Sequence, residues 1–328
     1  MVLLTRMRKT RLLTAAAMLL LAAVAAAALF IGKYPLTLSG LLHGDEMQWR
    51  VFFTLRLSRV LVGVVGGFAL GVAGFVYQTV FRNPLASPDV IGVASGASAG
   101  AAAGILFLTG AVAVTLSAFV GALSAVVLTL EIASVDRTGR NGTAVLAGIA
   151  VHALAQTVLM ALKMTADPER ELASIEYWIM GSLGGISLHT AWGNLLLCLV
   201  CLVVLFLFHR QIILLSADSD EAKMLGVHVG RLRLAVLLIA TLTVACVVSL
   251  TGLISFVGLL APHTARMLTK QNKMSTMLLG GLLGSILLCV ADMLARGVGQ
   301  TELPISIFTS LVGAPFLIWL IFRERRQI

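Results

Sequence analysis

Charge is scarce in this chain. Only 12% of its 328 residues are Asp, Glu, Lys or Arg, too few to clothe a water-soluble protein of this size. Acidic residues are nearly absent from the long apolar blocks, with Asp292 near a block boundary the main exception. An ion-coupled carrier usually needs charged or polar coordination near mid-membrane, so self-powered transport is disfavoured and an external motor favoured. The chain has no GxxxxGK[ST] loop to cradle a nucleotide phosphate, no HExxH and no paired carboxylates within a span, which leaves hydrolysis and a proton relay without visible machinery. Cysteine is confined to positions 198, 201, 246 and 289, all in apolar stretches. Cys198 and Cys201 have CxxC spacing, but no second pair or histidine cluster accompanies them, so helix packing is the reading and no disulfide framework is implied.

What the chain does contain is apolar: 59% of residues are hydrophobic, 31 are glycine, and the mean hydropathy is +1.00. That profile belongs to a polytopic membrane protein. The net charge of +9 reads as Lys and Arg retained in cytoplasmic loops, not as a nucleic-acid surface.

Crossings of ~20 residues divide the chain. The start, RMRKTR followed by apolar residues from Leu12 to Ile31, has the form of a signal peptide, but its core is too long and no convincing cleavage site follows, so an uncleaved first helix is expected. Gly32 to Arg59 reads as an outside loop, and Val60 to Phe81 as a second span stopped by RNPLASP. Val90 to Leu130 has no charge and is long enough for two spans. Glycines recur at intervals of four, at 63, 67 and 71 and again at 92, 96, 100 and 104. Each series lies on one helix face and predicts close backbone packing.

Gly142 to Leu162 is the predicted fifth span. His152 and Gln156 lie four apart on one of its faces, which should meet either a water-filled path or another helix. Tyr177 to Phe208 reads as an outer helical piece and a sixth span. Further spans follow near Leu234 to Thr251, Leu253 to Leu268, Met274 to Leu294 and Leu303 to Phe322. The expectation is thus an all-α polytopic membrane protein of about ten transmembrane helices, forming one domain over residues 1–328. On this map 17 of the 24 Lys and Arg residues fall inside and 7 outside, which puts both termini in the cytoplasm.

Between the sixth and seventh spans runs a polar segment, Ser216 to Arg233, which is too polar to cross a bilayer yet has helix-like pieces around Glu221, Ala222, Met224 and Leu225 before Gly226. It reads either as a solvated loop or as a pair of short helices that receives force from another protein.

Several stretches carry a resemblance. LRLSRVLVGVVGGFALGVAGFVYQTVFRNPLASPDVIG (55–92), YWIMGSLGG (177–185), SADSDEAKMLGV (216–227), GLISFVGLLAPHTARML (252–268), ADMLAR (291–296) and ELPISIFTSLVGAPFLIWL (302–320) resemble the FecCD-type permeases, the membrane subunits of ATP-binding-cassette importers for ferric siderophores, haem and cobalamin. The likeness spans essentially the whole chain. Two departures are Ser58, where RLPR is usual, expected to loosen the start of the second helix, and Ser306 in LPIS, where glycine is frequent, with a local packing effect at most.

The resemblance implies a bacterial inner-membrane subunit that breaks no covalent bond and holds no cofactor. It implies a second permease subunit, two cytoplasmic ATPase subunits that bind ATP and Mg, and an extracytoplasmic binding protein. Residues 216–230 would form coupling helices seated on the ATPases, with Asp218, Asp220 and Glu221 meeting basic residues, Met224 and Leu225 wedging, and Gly226 turning the chain. Arg56, Arg59 and Arg296 would receive acidic residues of the binding protein, and His152 and Gln156 would border the path. The general look of the chain is most like the siderophore branch, so a ferric siderophore is the expected cargo, with haem or cobalamin as the alternative.

Overall fold

The computed structural model describes residues 2–134, 141–216, 229–298 and 301–325, and the regular structure in them is helical. The chain opens on α1 (Val2–Phe30), passes two five-residue helices, α2 (Leu38–Leu42) and α3 (Glu46–Arg50), then a π-helical turn (Val51–Arg56), and enters α4 (Leu57–Val80). After a 3₁₀ turn at Pro88–Ile91 come α5 (Val93–Phe107), α6 (Ala111–Ser134), α7 (Asn141–Thr165), α8 (Glu171–Met180), α9 (Leu188–Leu207) and α10 (His209–Leu214). The last four are α11 (Val229–Thr251), α12 (Val257–Thr269), α13 (Met274–Gly297) and α14 (Ile305–Arg325). Residues 217–228, including Asp218, Asp220, Glu221, Met224, Leu225 and Gly226, lie outside the described residues.

The number of spans is corrected. Among the described residues seven helices, not about ten, are long and apolar enough to cross a membrane: Arg8–Phe30, Glu46–Val80, Ala111–Ala133, Val145–Thr165, Leu188–Leu207, Val229–Thr251 and Met274–Gly297. Three expected spans do not reach that apolar length. The uncharged stretch from Val90 to Leu130 yields one full-length helix, α6, and the 15-residue α5, which at 1.5 Å per residue reaches about 22 Å against a hydrocarbon core of about 30 Å. α5 is cut short at both ends, by Gly92 with φ +85° before it and by extended Leu108 and Gly110 with φ +91° after it. α12 has 13 residues and starts behind Phe256 in the left-handed region. The apolar part of α14 is Ile305–Leu320. For α5 and α12, apolar length in the sequence exceeds helical length because it counts residues that turn.

The second span also begins earlier than expected. Helix runs without interruption from Glu46 to Val80, where the sequence suggested a loop up to Arg59. Ser58 keeps the N–H that proline would lack and sits inside this helix, its hydroxyl donating to the Thr54 carbonyl at 3.0 Å.

α4 is the centre of the bundle, buried without a break from Ala69 to Val80. Its glycine face lies against two other helices backbone to backbone. A Cβ on Gly67 would stand 2.5 Å from the Gly284 carbonyl oxygen of α13, one on Gly71 would overlap the Gly280 carbonyl, and one on Gly74 would overlap the Gly258 carbonyl of α12. The second series does the same for α5 and α6, Gly96 meeting Gly121 and Gly100 meeting Ser117. Cys198, Cys201, Cys246 and Cys289 are all buried as free thiols.

Steric cost should therefore depend on position. Gly71→Ala is expected to destabilise the chain by about 1–3 kcal/mol, because backbone cannot yield as a side chain can. Gly193→Ala, in the interior of α9 with nothing within 4 Å of the new methyl group, is expected to be neutral or stabilising by up to about 1 kcal/mol. Unfolding of the purified variants in detergent checks this, and equal effects would remove the close-packing account.

Candidate functional site

Three arginines and two carboxylates gather where α4 begins, α13 ends and α14 begins. Arg59 donates from both terminal nitrogens to the two Glu302 oxygens, each at 2.9 Å, and its Nε lies 3.3 Å from Asp292 Oδ1. Arg296, one turn beyond Asp292 on the same helix, pairs with it at 2.9 Å and donates to the Ala28 carbonyl at 3.1 Å. Arg56 donates to the carbonyls of Ile31 and Tyr34. The group thus ties the end of α1 to α4, α13 and the start of α14.

The sequence placed Arg56, Arg59 and Arg296 together at one aqueous boundary, and the structure brings them together. It also buries two of them: Arg56 is 5% exposed and Arg296 2%, while Arg59 is half-buried and Asp292, at 2%, sits between Arg59 and Arg296. Charges held this deep need partners, and the partners are carboxylates and main-chain carbonyls of the same chain. Glu302, outside the spans and partly exposed, has its carboxyl held below the usual glutamate range by the Arg59 hydrogen bonds, with burial opposing. Within the cluster itself, three arginines stand against two carboxylates.

Beside the cluster lies a cavity of about 610 Å³ whose walls include Tyr177, Trp178, Glu169, Arg170, Ser182 and Thr251. Sequence reasoning did not single it out, although YWIMGSLGG supplies much of it. Its floor depends on two glycines at positive φ, Gly181 (+73°) and Gly252 (+69°). A Cβ on Gly181 would overlap the Leu253 carbonyl, and one on Gly252 the Trp178 carbonyl, so the ends of α8 and α11 meet through bare backbone. Ser182 N donates to the Thr251 carbonyl at 2.7 Å, and Ser306, the departure at the start of α14, donates to the Leu253 carbonyl at 2.7 Å.

At the opposite end, Arg266 of α12 donates to Gln78 Oε1 at 2.6 Å, to the Phe75 carbonyl at 3.0 Å and to Thr79 Oγ1 at 2.5 Å, and stacks 4.4 Å from the Phe75 ring centroid. This locks α12 to the end of α4. Arg82, just past α4, donates to the Leu215 carbonyl at 3.4 Å, which brings the RNPLASP turn to the chain that leads into residues 217–228.

His152 is exposed and Gln156 half-buried on α7. The neighbouring Val151 and Leu159 are buried, Leu159 among residues of α5 and α8. Neither His152 nor Gln156 lines the large cavity, and the outward face of the helix leaves them toward lipid or another chain.

The buried cluster predicts unequal consequences for its two carboxylates. Asp292→Ala, which strips Arg59 and Arg296 of a shared partner inside the bundle, is expected to cost about 3–5 kcal/mol. Glu302→Gln, at the partly exposed edge with Arg59 still beside Asp292, is expected to cost about 1 kcal/mol or less. Unfolding in detergent separates them, and similar losses would show that burial does not set the hierarchy.

Among known proteins, the chain is 35% identical over 298 residues to the hemin transport system permease protein HmuU of Yersinia pestis, covering 86% of each chain. It is 36% identical over 273 residues to the cobalamin import system permease protein BtuC of Halobacterium salinarum, covering 83% of this chain and 73% of that one. A solved inward-facing structure assigned to the metal-chelate type of ABC transporter matches with a TM-score of 0.85 at 32% identity, over 94% of this chain and 98% of that one. The model of the FecCD transport family matches residues 17–323, and this multi-pass, non-catalytic membrane chain belongs to that family.

Proposed function

We propose that the chain is the permease subunit of an ATP-driven importer for a large metal chelate, with a macrocycle of the haem or cobalamin class as cargo. The observation that carries the transport reading is the family match over residues 17–323. The macrocycle reading is supported by the hemin and cobalamin permeases, similar at 35% and 36% identity. They favour a macrocyclic chelate over the ferric siderophore suggested by the general look of the sequence. The aromatic wall formed by Tyr177 and Trp178 suits a large planar ligand in transit.

The working assembly would comprise a second permease chain, two ATPase subunits that bind ATP and Mg, and an extracytoplasmic binding protein. Orientation follows the positive charge. Arg11 and Lys273 lie together at the end of the bundle where α1 and α13 start, and that end would face the cytoplasm. Residues 217–228 would couple to the ATPases there, with Met224 and Leu225 as the apolar wedge, Asp218, Asp220 and Glu221 as charged contacts and Gly226 as the turn. The Arg82 bond to Leu215 would carry their displacement to α4.

At the other end, Arg56 and Arg296 are committed within the bundle, so docking of the binding protein would read the net positive field of the cluster through Arg59 and its rim. Long-range attraction of this kind acts chiefly on encounter. The exposed His152 and Gln156 face would border the path where a second permease chain adjoins it.

Two measurements test this reading. In proteoliposomes with the cognate ATPases and binding protein, ATP-dependent uptake of haem or cobalamin is expected to exceed that of a ferric siderophore, and the reverse order would restore the siderophore. Leu225→Asp is expected to insert normally but to uncouple ATP turnover from uptake, because it puts an unpaired charge into an apolar contact. Coupled uptake at the wild-type level would remove residues 217–228 from the coupling role.

A further inference from the structure

We propose that a crevice between the starts of α1 and α13 binds the phosphate headgroup of an anionic phospholipid. The crevice has a volume of about 480 Å³ and lies at the first turns of two spans, the depth at which headgroups sit. On α1, Thr10, Thr14 and Met18 recur at intervals of four along one face, with Arg11 beside them, and the opposite wall carries Lys273, Ser275 and Leu278. Arg11 and Lys273 are exposed at its mouth, Thr10 and Thr14 are buried in the α1 wall, and Met18 is half exposed on the same face.

Among the described residues no carboxylate lines the crevice. No Asp or Glu occurs between Met1 and Ile31 or between Thr251 and Ala291, so neither flanking element offers a carboxylate. Among the described residues neither Arg11 nor Lys273 forms an ion pair. The opposite end of the same two helices differs, since there Asp292 answers Arg296. Two cations about one crevice with no carboxylate in its described lining favour an anion, and the guanidinium fork of Arg11 suits a phosphate.

The surroundings say which anion. Below the crevice Ala17, Leu279 and Leu282 close the gap between the helices, with Leu13 and Leu21 packed against them, so the space does not continue into the bundle. Beside it Leu12, Met18 and Leu19 stand exposed on α1, Leu19 at 74%, forming the kind of surface that acyl chains cover. The occupant that fits is amphiphilic, with a phosphodiester at the mouth and tails along α1. Basic pockets between helices at a membrane surface recognise anionic headgroups by this combination.

The test is native mass spectrometry of the full-length chain, delipidated and then exposed to micelles of phosphatidylglycerol and phosphatidylcholine in equal amounts. Wild type is expected to retain phosphatidylglycerol preferentially. Arg11→Gln and Lys273→Gln should each reduce that preference about fivefold, equivalent to about 1 kcal/mol per cation. R11K/K273R should keep it, and Arg231→Gln, an exposed cation at the start of α11, should leave it unchanged. Both positions are exposed, and a melting curve on each variant separates lost binding from lost folding. If the glutamine variants melt early, the charge-conserving pair decides, and its loss of preference would overturn the site. Absence of preference in wild type, or its persistence in R11Q/K273Q, would also overturn it. Displacement of the lipid by excess inorganic phosphate would overturn the lipid assignment in favour of a free anion.

Discussion

Backbone contact between α4 and its neighbours is the constraint on which the rest of the structure depends. Gly67, Gly71 and Gly74 let α13 and α12 approach until carbonyl oxygens occupy the space where a Cβ would be. In a bilayer, apolar side chains gain little by leaving lipid for protein, so close van der Waals contact and polar links must hold helices together. The polar links are present at both ends of the same packing: Ser285 Oγ donates to the Val64 carbonyl at 2.7 Å, the Arg59–Asp292–Arg296 cluster fastens one end, and Arg266 with Gln78 and Thr79 fastens the other.

This arrangement gives the two ends different characters. At the arginine cluster, positive charge is answered by Asp292 and Glu302 and drawn into the bundle. At the start of α1 and α13, no carboxylate among the described residues lines the crevice that carries Arg11 and Lys273. A fixed, partly neutralised cluster suits a surface that must keep its shape while a partner comes and goes, and a pair of cations with no carboxylate in the described lining suits a lasting neighbour such as an anionic leaflet. Turns that require positive φ, at Gly181 and Gly252, stand between the cluster and the aromatic cavity, so the shape of that end rests on backbone geometry and not on long side chains.

Much of the candidate site was legible because spacing on a helix is a local property. Gly63, Gly67 and Gly71 had to share a face, as did Asp292 and Arg296, and three arginines flanking apolar blocks had to lie near one boundary. The depth of burial was not legible. Arg56 and Arg59 look like loop cations in the sequence, and only the continuous helix from Glu46 to Val80 draws them into the bundle. The cavity beside Trp178 escaped because its walls come from segments far apart in the chain, whose meeting depends on two glycine turns.

The sequence by itself determined the solvent, the helical class and the family, because scarcity of charge, apolar length and long motifs each act without knowledge of neighbours. It also determined which helix faces were smooth enough to touch. Tertiary structure decided the number of full-length spans, seven among the described residues, because Val93–Phe107 and Val257–Thr269 are ended by turns that hydropathy cannot see. It decided as well which charges were paired. Pairing needs side chains from several helices to converge, and convergence follows from how closely the glycine faces allow those helices to pack.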